Sequence, residues 1–316
     1  MKNRQLLTLV ATALIGAMNA LSQPVTTFTK ITTGPVVTNL ARGWGAAWGD
    51  FDNDSFIDLV VANEGADFLY RNNRDGTLIQ ITSGPVVTNS SDLGAGVAFT
   101  DYDNDGNLDL AVGGYGGPPT KLFRNNGDGS FAHLAGNPPN AVGNANSVSW
   151  GDYDNDGYPD LMVAMFGQPN LLYRNNRVGS FIKMTSAEVG NILSDQGESA
   201  TCVWSDYDND GDLDVLAVNF HAKNAFYCNS GDGTFTRLFA ADVGDLDDAE
   251  SAESNGGAWG DYDNDGDLDV FVARGGAAFL RNDALYRNNG HGAFTKMISD
   301  DCHHQILLAT LFDDAC

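Results

Sequence analysis

Aspartate recurs at fixed spacing in five stretches: "DFDNDSFID" from Asp50, "DYDNDGNLD" from Asp101, "DYDNDGYPD" from Asp152, and "DYDNDGDLD" from both Asp206 and Asp261. Counted from its first residue, each loop carries Asp at positions 1, 3, 5 and 9. These are Asp50, Asp52, Asp54 and Asp58, then Asp101, Asp103, Asp105 and Asp109, then Asp152, Asp154, Asp156 and Asp160. The last two sets are Asp206, Asp208, Asp210 and Asp214, and Asp261, Asp263, Asp265 and Asp269. Carboxylates this dense repel one another unless a cation sits among them. A hard cation such as calcium takes six to eight oxygens at roughly 2.3–2.6 Å from carboxylates, carbonyls and water. Alternate residues at positions 1, 3 and 5 aim inward as the chain wraps an ion, and position 9 closes the shell. Position 7 is Phe56, Asn107, Tyr158, Asp212 or Asp267. That lack of shared side-chain chemistry is expected of a residue giving only its backbone carbonyl. Magnesium prefers to keep several waters, and zinc or copper would call for His or Cys. Up to five structural calcium ions are therefore expected. Solvated turns alone would not require position 9 to be kept in every copy.

The other loop positions have structural readings. Position 6 is Gly in four copies and Ser55 in the first, where weaker binding or a strained turn is expected. Position 2 is always aromatic (Phe51, Tyr102, Tyr153, Tyr207, Tyr262) and should anchor the loop to its blade and neighbour. Position 4 is always Asn, expected to tie the loop to its own backbone. The carboxylate of Asp267 is expected in solvent.

These loops need strands on either side. Small apolar stretches ("GAAW", "GVAF", "SVSW", "GGAW") precede them and β-rich runs ("IDLVVA", "LDLAVG", "PDLMVA", "LDVLAV", "LDVFVA") follow. A second signature then recurs: "LYRNNRDGTL", "LFRNNGDGSF", "LYRNNRVGSF", "FYCNSGDGTF" and "LYRNNGHGAF". Asn and Gly there tolerate the positive φ of a hairpin turn. Neither sustained helical periodicity nor helix caps are expected. Each unit is four short antiparallel strands, a propeller blade that buries its faces against neighbouring copies. The fold class is all-β, a β-propeller with five recognisable blades over residues 23–299. "TFTKITTG" from Thr27 reads as an orphan fourth strand, and residues 300–316 as a degenerate or truncated tail, so an incomplete ring is expected.

Composition sets outer bounds. Seventeen basic residues stand against 42 acidic, a formal charge of −25, which opposes nucleic acid because phosphate binding requires Lys and Arg. Residues 1–22 read as a signal peptide cleaved near Ser22: a basic start at Lys2 and Arg4, then the 13-residue apolar run "LLTLVATALIGAM". No later segment is apolar enough to span a bilayer, so a secreted, extracellular or periplasmic protein is expected. Cys202, Cys228, Cys302 and Cys316 allow three disulfide pairings, and spacing does not choose among them.

"WGDYDNDGDLDVFV" followed by "ALYRNNGHGAF" resembles the FG-GAP / VCBS-type repeat of secreted propellers, which includes the calcium-bearing blades of integrin α-subunits. The resemblance implies calcium-binding blades used in adhesion or extracellular recognition. No catalytic constellation breaks the repeat: the five His residues fall at unrelated positions, and Glu64, Glu198, Glu250 and Glu253 show no pairing a glycosidase needs. The expected function is recognition of an extracellular protein or carbohydrate, not catalysis. The recognising segments would be "GGYGGPPT", "FGQPN", "NFHAKN" and "RGGAAFLRND", which diverge between units. The alternatives are a purely structural scaffold and a polysaccharide-active enzyme. The recurring Arg71, Arg124, Arg174 and Arg287 are read as structural partners of nearby carboxylates.

Overall fold

In each unit the acidic loop turns the chain through a β-hairpin, and two further antiparallel strands complete a four-stranded sheet. The computed structural model describes residues 29–88, 93–117, 119–134, 142–194, 197–247, 253–275, 282–290 and 292–297. Blade 1 comprises β1 (Gly43–Gly49), β2 (Asp58–Asn63), β3 (Phe68–Asn72) and β4 (Leu78–Ile81). Blade 2 comprises β5 (Leu93–Thr100), β6 (Asp109–Tyr115), β7 (Lys121–Asn125) and β8 (Phe131–His133). Blade 3 comprises β9 (Ala145–Gly151), β10 (Asp160–Met165), β11 (Leu171–Asn175) and β12 (Phe181–Lys183). Blade 4 comprises β13 (Ser199–Ser205), β14 (Asp214–Asn219), β15 (Ala225–Asn229) and β16 (Phe235–Leu238). Blade 5 comprises β17 (Ser254–Gly260), β18 (Asp269–Arg274), β19 (Ala284–Asn288) and β20 (Phe294–Lys296). The fold is thus an all-β propeller of five four-stranded blades.

The first strands lie side by side in chain order, β1 on β5, β5 on β9, β9 on β13 and β13 on β17. Their small residues are required by this close approach. A Cβ on Gly45 would stand 2.5 Å from the Ala95 carbonyl oxygen, and one on Gly96 would stand 2.4 Å from Ser147 Cα. The second strands, β10 and β14 above all, are buried along their whole length, which explains their uninterrupted apolar runs. The core lies between blades. Tyr102 of the second loop packs with Phe181 and Trp150 of blade 3, and Tyr207 of the fourth with Phe294 of blade 5.

The described residues form an open arc. Among the described residues β17 and β1 make no contact comparable to the other neighbouring first strands. Gly49 and Gly151 sit beneath Phe99 and Trp204 of the next blade, whereas a Cβ on Gly260 would meet nothing within 4 Å. Correspondingly Trp48, at the leading face of blade 1, is 63% exposed. Tyr262, at the trailing face of blade 5, is 40% exposed while its four counterparts are buried. The expected incomplete ring is what the described residues form.

Two expectations are corrected. Residues 29–34 are not a strand; blade 1 takes its fourth strand from Leu78–Ile81, and the preceding segment turns into a short helix, α1 (Pro35–Thr38). Pro35 presets the helical φ at the first turn, and Asn39 then donates to Tyr70 Oη at 3.2 Å and Gln80 Oε1 at 2.8 Å, pinning the segment to blade 1. The same letters form α2 (Pro85–Thr88). Helix caps do occur: α3 (Ser186–Val189) opens with a capping box in which Thr185 N donates to Glu188 Oε2 at 2.9 Å. A fourth single turn, α4, spans Ala240–Val243. Of the cysteine pairings the sequence leaves open, Cys202 with Cys228 is not formed, and both are free thiols. Cys202 lies opposite Ala217, which lies opposite Ala225, so the line across the sheet falls three residues short of Cys228. At strand rise that is about 10 Å, beyond disulfide reach. Among the described residues no helix is long and apolar enough to cross a membrane. The N-terminal segment 1–22, the tail 300–316, Cys302, Cys316, His291, His303, His304 and Glu250 lie outside the described residues.

Candidate metal centres

The third loop shows how the sequence closes this turn. Asp152 carries the first carboxylate: its Oδ1 accepts from Asp156 N at 2.9 Å and its Oδ2 from Gly157 N at 2.8 Å. Asp156 Oδ1 accepts from Tyr158 N at 3.0 Å. The chain then enters β10 at Asp160, whose Oδ2 accepts from Tyr153 N at 3.1 Å and whose Oδ1 accepts from Asn175 N at 2.7 Å. Position 9 is therefore buried in every blade, tied at once to its own loop and to the third strand. Acceptor geometry at the other loops repeats this pattern.

Carboxylate oxygens converge in each loop, all within 4.8 Å of one another. In the first three loops the converging residues are Asp50, Asp52 and Asp58; Asp101, Asp103 and Asp109; and Asp152, Asp154 and Asp160. In the fourth and fifth they are Asp206, Asp208 and Asp210, and Asp261, Asp263 and Asp265. Positions 1 and 3 thus converge everywhere, joined by position 9 in three loops and by position 5 in two. Arginine accounts for part of the difference. Asp54 Oδ2 pairs with Arg74 Nε at 2.8 Å, Asp156 Oδ2 with Arg177 Nε at 2.7 Å, and Asp105 Oδ2 with Arg124 Nη2 at 2.6 Å. In the fourth unit Cys228 replaces the repeat's Arg and Gly231 occupies the Arg177 position.

Whether these residues suit a cation is decided by position 3. Asp52 Oδ1, Asp103 Oδ1 and Asp154 Oδ1 are buried and accept no hydrogen bond, although nearly all buried polar atoms in proteins find a partner. Each belongs to a trio of aspartates whose carboxylate oxygens lie within 4.8 Å of one another. Burial first, and the neighbouring aspartates second, hold Asp52, Asp154 and Asp208 above the usual carboxylate range. Burial drives position 9 further: Asp58 to about 6, Asp109 and Asp214 to about 7, Asp160 to about 8. Three carboxyl groups gathered around an unpartnered inward oxygen fit a hard divalent cation, which would displace the proton held at position 9.

Other loop residues lie where the sequence did not place them. The Asn at position 4 does not bond its own loop. It sits at positive φ, 53° to 59° in all five copies, a conformation Asn tolerates, and reaches across to the next blade. Asn104 Nδ2 donates to Gly157 O at 2.8 Å, Asn155 Nδ2 to Asp212 Oδ1 at 2.6 Å, and Asn209 Nδ2 to Asp267 Oδ1 at 3.0 Å. The carboxylates of Asp212 and Asp267 are therefore acceptors for the preceding loop and not solvent-facing spectators. Position 7 turns its N–H to position 5 throughout. Of the recurring arginines, Arg124 pairs with Asp103 and Asp105, whereas Arg71 and Arg174 act on Asp52 and Asp154 through charge.

One residue escaped the sequence reading altogether: the first Asn of each "RNN". Asn175 is buried and its Nδ2 donates to Tyr102 O of the preceding blade at 2.7 Å and to Pro159 O of its own at 3.1 Å. Asn125, Asn229 and Asn288 repeat the link. Its identity in all five units was a visible signal, masked by reading the whole segment as a hairpin turn.

Ser55 occupies φ 71°, where the other loops have Gly at 88° to 96°. Ser55→Gly is expected to raise stability by about 0.5–1 kcal/mol, the left-handed penalty less the added chain entropy of glycine. A urea midpoint that falls would contradict this.

The FG-GAP-like repeat model matches residues 50–112, 101–163 and 206–272. Cartilage acidic protein 1 of Homo sapiens is 25% identical over 193 residues, covering 57% of this chain and 28% of that protein. Its Xenopus tropicalis counterpart is 27% identical over 187 residues, covering 55% and 28%. The match thus spans little more than a quarter of these relatives' length. Among solved structures, an Agrocybe aegerita lectin, described as specifically recognising non-reducing terminal N-acetylglucosamine, superimposes with a TM-score of 0.58 at 17% identity, covering 84% of this chain and 68% of that one. BBS1N in complex with ARL6DN gives 0.50 at 13% identity, covering 81% and 68%. These likenesses show the fold. With the repeat matched over more than half its length, the chain belongs to the FG-GAP-like repeat family.

Proposed function

We propose that this protein is a secreted propeller, stapled by calcium at its acidic loops, that serves as a recognition module for an extracellular protein or carbohydrate and has no catalytic role. The observation that carries the calcium reading is the unpartnered, buried Oδ1 of Asp52, Asp103 and Asp154, each facing two further carboxylates. Bound calcium would supply the positive charge that lets these oxygens approach. The aspartates at positions 1, 3, 5 and 9 would hold it, with the carbonyls of Phe56, Asn107, Tyr158, Asp212 and Asp267 at position 7. The chain's own groups do the rest. Position 1 orients the turn through two backbone N–H groups, and position 9 joins the turn to the second and third strands. Position 4 links successive turns.

Secretion is supported by the basic start and apolar run of residues 1–22. Recognition is supported by the variable connections between second and third strands, at the blade ends opposite the acidic loops. The similarity to cartilage acidic protein 1 and the fold shared with a lectin fit the same reading. Calorimetric titration of calcium into chelated protein tests the metal reading, with magnesium as the comparison. Binding of several calcium ions in preference to magnesium is expected. No calcium heat, with an unchanged melting curve, would refute it.

A further inference from the structure

We propose that the rim opposite the acidic loops binds neutral oligosaccharide chains, with Trp44–Tyr115 and Phe166–His221–Phe220 as two stacking subsites; this deepens the recognition reading above and rests on it. Blade topology places the rim. In an antiparallel blade the turn between first and second strands and the connection between second and third leave from opposite ends. Six residues after each position-9 aspartate the chain reaches this far end, at Glu64, Tyr115, Phe166, Phe220 and Gly275. Three consecutive blades thus set a half-buried aromatic ring at the same rim position.

Two further residues build on that row. β1 and β2 pair at Gly43 with Asn63 and at Gly45 with Ala62, so Trp44 is the extra residue of a bulge. It is 60% exposed and lies stacked on Tyr115 of blade 2, ring centroids 5.9 Å apart and planes within 23°. The bulge residues of blades 3, 4 and 5 are Asn146, Ala200 and Asn255, so the bulge itself does not need tryptophan. The second group gathers at blades 3 and 4. His221 meets Phe220 edge-on at 4.4 Å and Phe166 of the preceding blade at 6.2 Å.

Each aromatic group has a carboxylate beside it that contacts a nitrogen side chain. Arg42 Nη1 pairs with Glu64 Oε2 at 3.2 Å, and His221 Nδ1 pairs with Glu198. Both pairs flank one repeated backbone bond, Glu64 N to Arg42 O at 2.9 Å and Phe220 N to Glu198 O at 2.8 Å. The connections are also held in shape from below. Buried Asp67, Asn170 and Asn224 accept from the N–H of Asn63, Met165 and Asn219 at 3.0, 2.9 and 2.8 Å. The residues between are therefore presented on a fixed frame, which lowers the ordering cost of binding.

This chemistry selects a ligand class. A pyranose offers a flat C–H face that an exposed indole or phenyl ring covers, and ring hydroxyls that bond a carboxylate and the nitrogen side chain beside it together. Polyanionic glycans are opposed by the charge of −25. A basic peptide would seek unpaired carboxylates, but Glu64 and Glu198 already have partners. Neutral sugar is the better fit.

The test uses the full calcium-loaded chain. Chitohexaose, cellohexaose and an array of neutral glycans are the probes, alginate is the anionic control, and a basic peptide library is the protein-like alternative. Binding of at least one neutral oligosaccharide and none of alginate is expected. Trp44→Ala and Phe166→Ala should each weaken it by roughly tenfold, the size of one interface anchor, with calcium stoichiometry and melting temperature unchanged. Affinity unaltered in both variants overturns the proposal, as does silence across the neutral glycans. Binding of basic peptides lost in the same variants would also overturn it, yet leave the recognition reading standing. No ligand of any class, with calcium still bound, would defeat both.

Discussion

Removing calcium at pH 7.5 is expected to lower the thermal midpoint by roughly 15 °C. Ligand that binds only the folded state stabilises it by RT ln(1 + [L]/Kd), about 1.4 kcal/mol per site at tenfold saturation, and five sites add to about 7 kcal/mol. For a propeller of this size each kcal/mol moves the midpoint by about 2–4 °C. The effect should grow with pH, and the sign follows from position 9. Burial holds Asp160 up to about 8 and Asp109 and Asp214 up to about 7, well above an unfolded aspartate. Between the unfolded value and these, the folded chain binds more protons than the unfolded one, so stability of the calcium-free protein falls as pH rises. Calcium must displace those protons. Chelated protein should therefore melt progressively lower from pH 5.5 to 8, calcium-loaded protein should change little, and calcium binding at pH 7 should release protons. Melting scans across that range, and calorimetry in buffers of different ionisation enthalpy, read both effects. Coincident curves with chelator and with calcium would sink the prediction.

Asn175→Ala should cost about 3 kcal/mol or more, with Asn72→Ala costing less. Asn175 Nδ2 serves Tyr102 O and Pro159 O while its Oδ1 accepts from Arg177 N at 2.9 Å. Truncation strands two carbonyls and an N–H in or near the junction, each worth about 1–3 kcal/mol when left unpaired under burial. Asn72 makes the equivalent bonds inside its own blade, to Ile57 O and from Arg74 N, but has no preceding blade to hold. The difference between the two variants therefore isolates the link between blades. Urea unfolding gives the energies, and hydrogen exchange should show the loop from Asp101 to Asp109 loosening in Asn175→Ala alone. Equal losses in the two variants would show that the inter-blade bond contributes nothing.

Much of the site was legible because its logic is local. Carboxylates two residues apart followed by one at the strand entrance need no tertiary information to be read as a cradle, and five copies at the same spacing set the blade count. The position-2 aromatics were likewise legible as anchors. What stayed hidden depends on a neighbour. Asn104 looks like a turn residue, and nothing in its own segment says that positive φ aims its amide at Gly157, 53 residues on. The letters GPVVTN occur at both 34–39 and 84–89, yet nothing in them says that the first turn is fastened by Asn39 to strands of blade 1. The Thr185–Glu188 capping box follows a pattern readable in the letters themselves, within a stretch whose flanking periodicity is β.

The sequence by itself determined the repeated unit, its four strands and the carboxylates at each turn, because strand periodicity and loop spacing act within about fifty residues. Only the tertiary structure decided which oxygens are left without partners, which Asn residues staple one blade to the next, and that among the described residues the array is open between Tyr262 and Trp48. The same holds for the rim, where Trp44 meets Tyr115 from a different blade. Such pairings arise between units whose separation along the chain carries no periodic signal, so they exist only once the blades have packed.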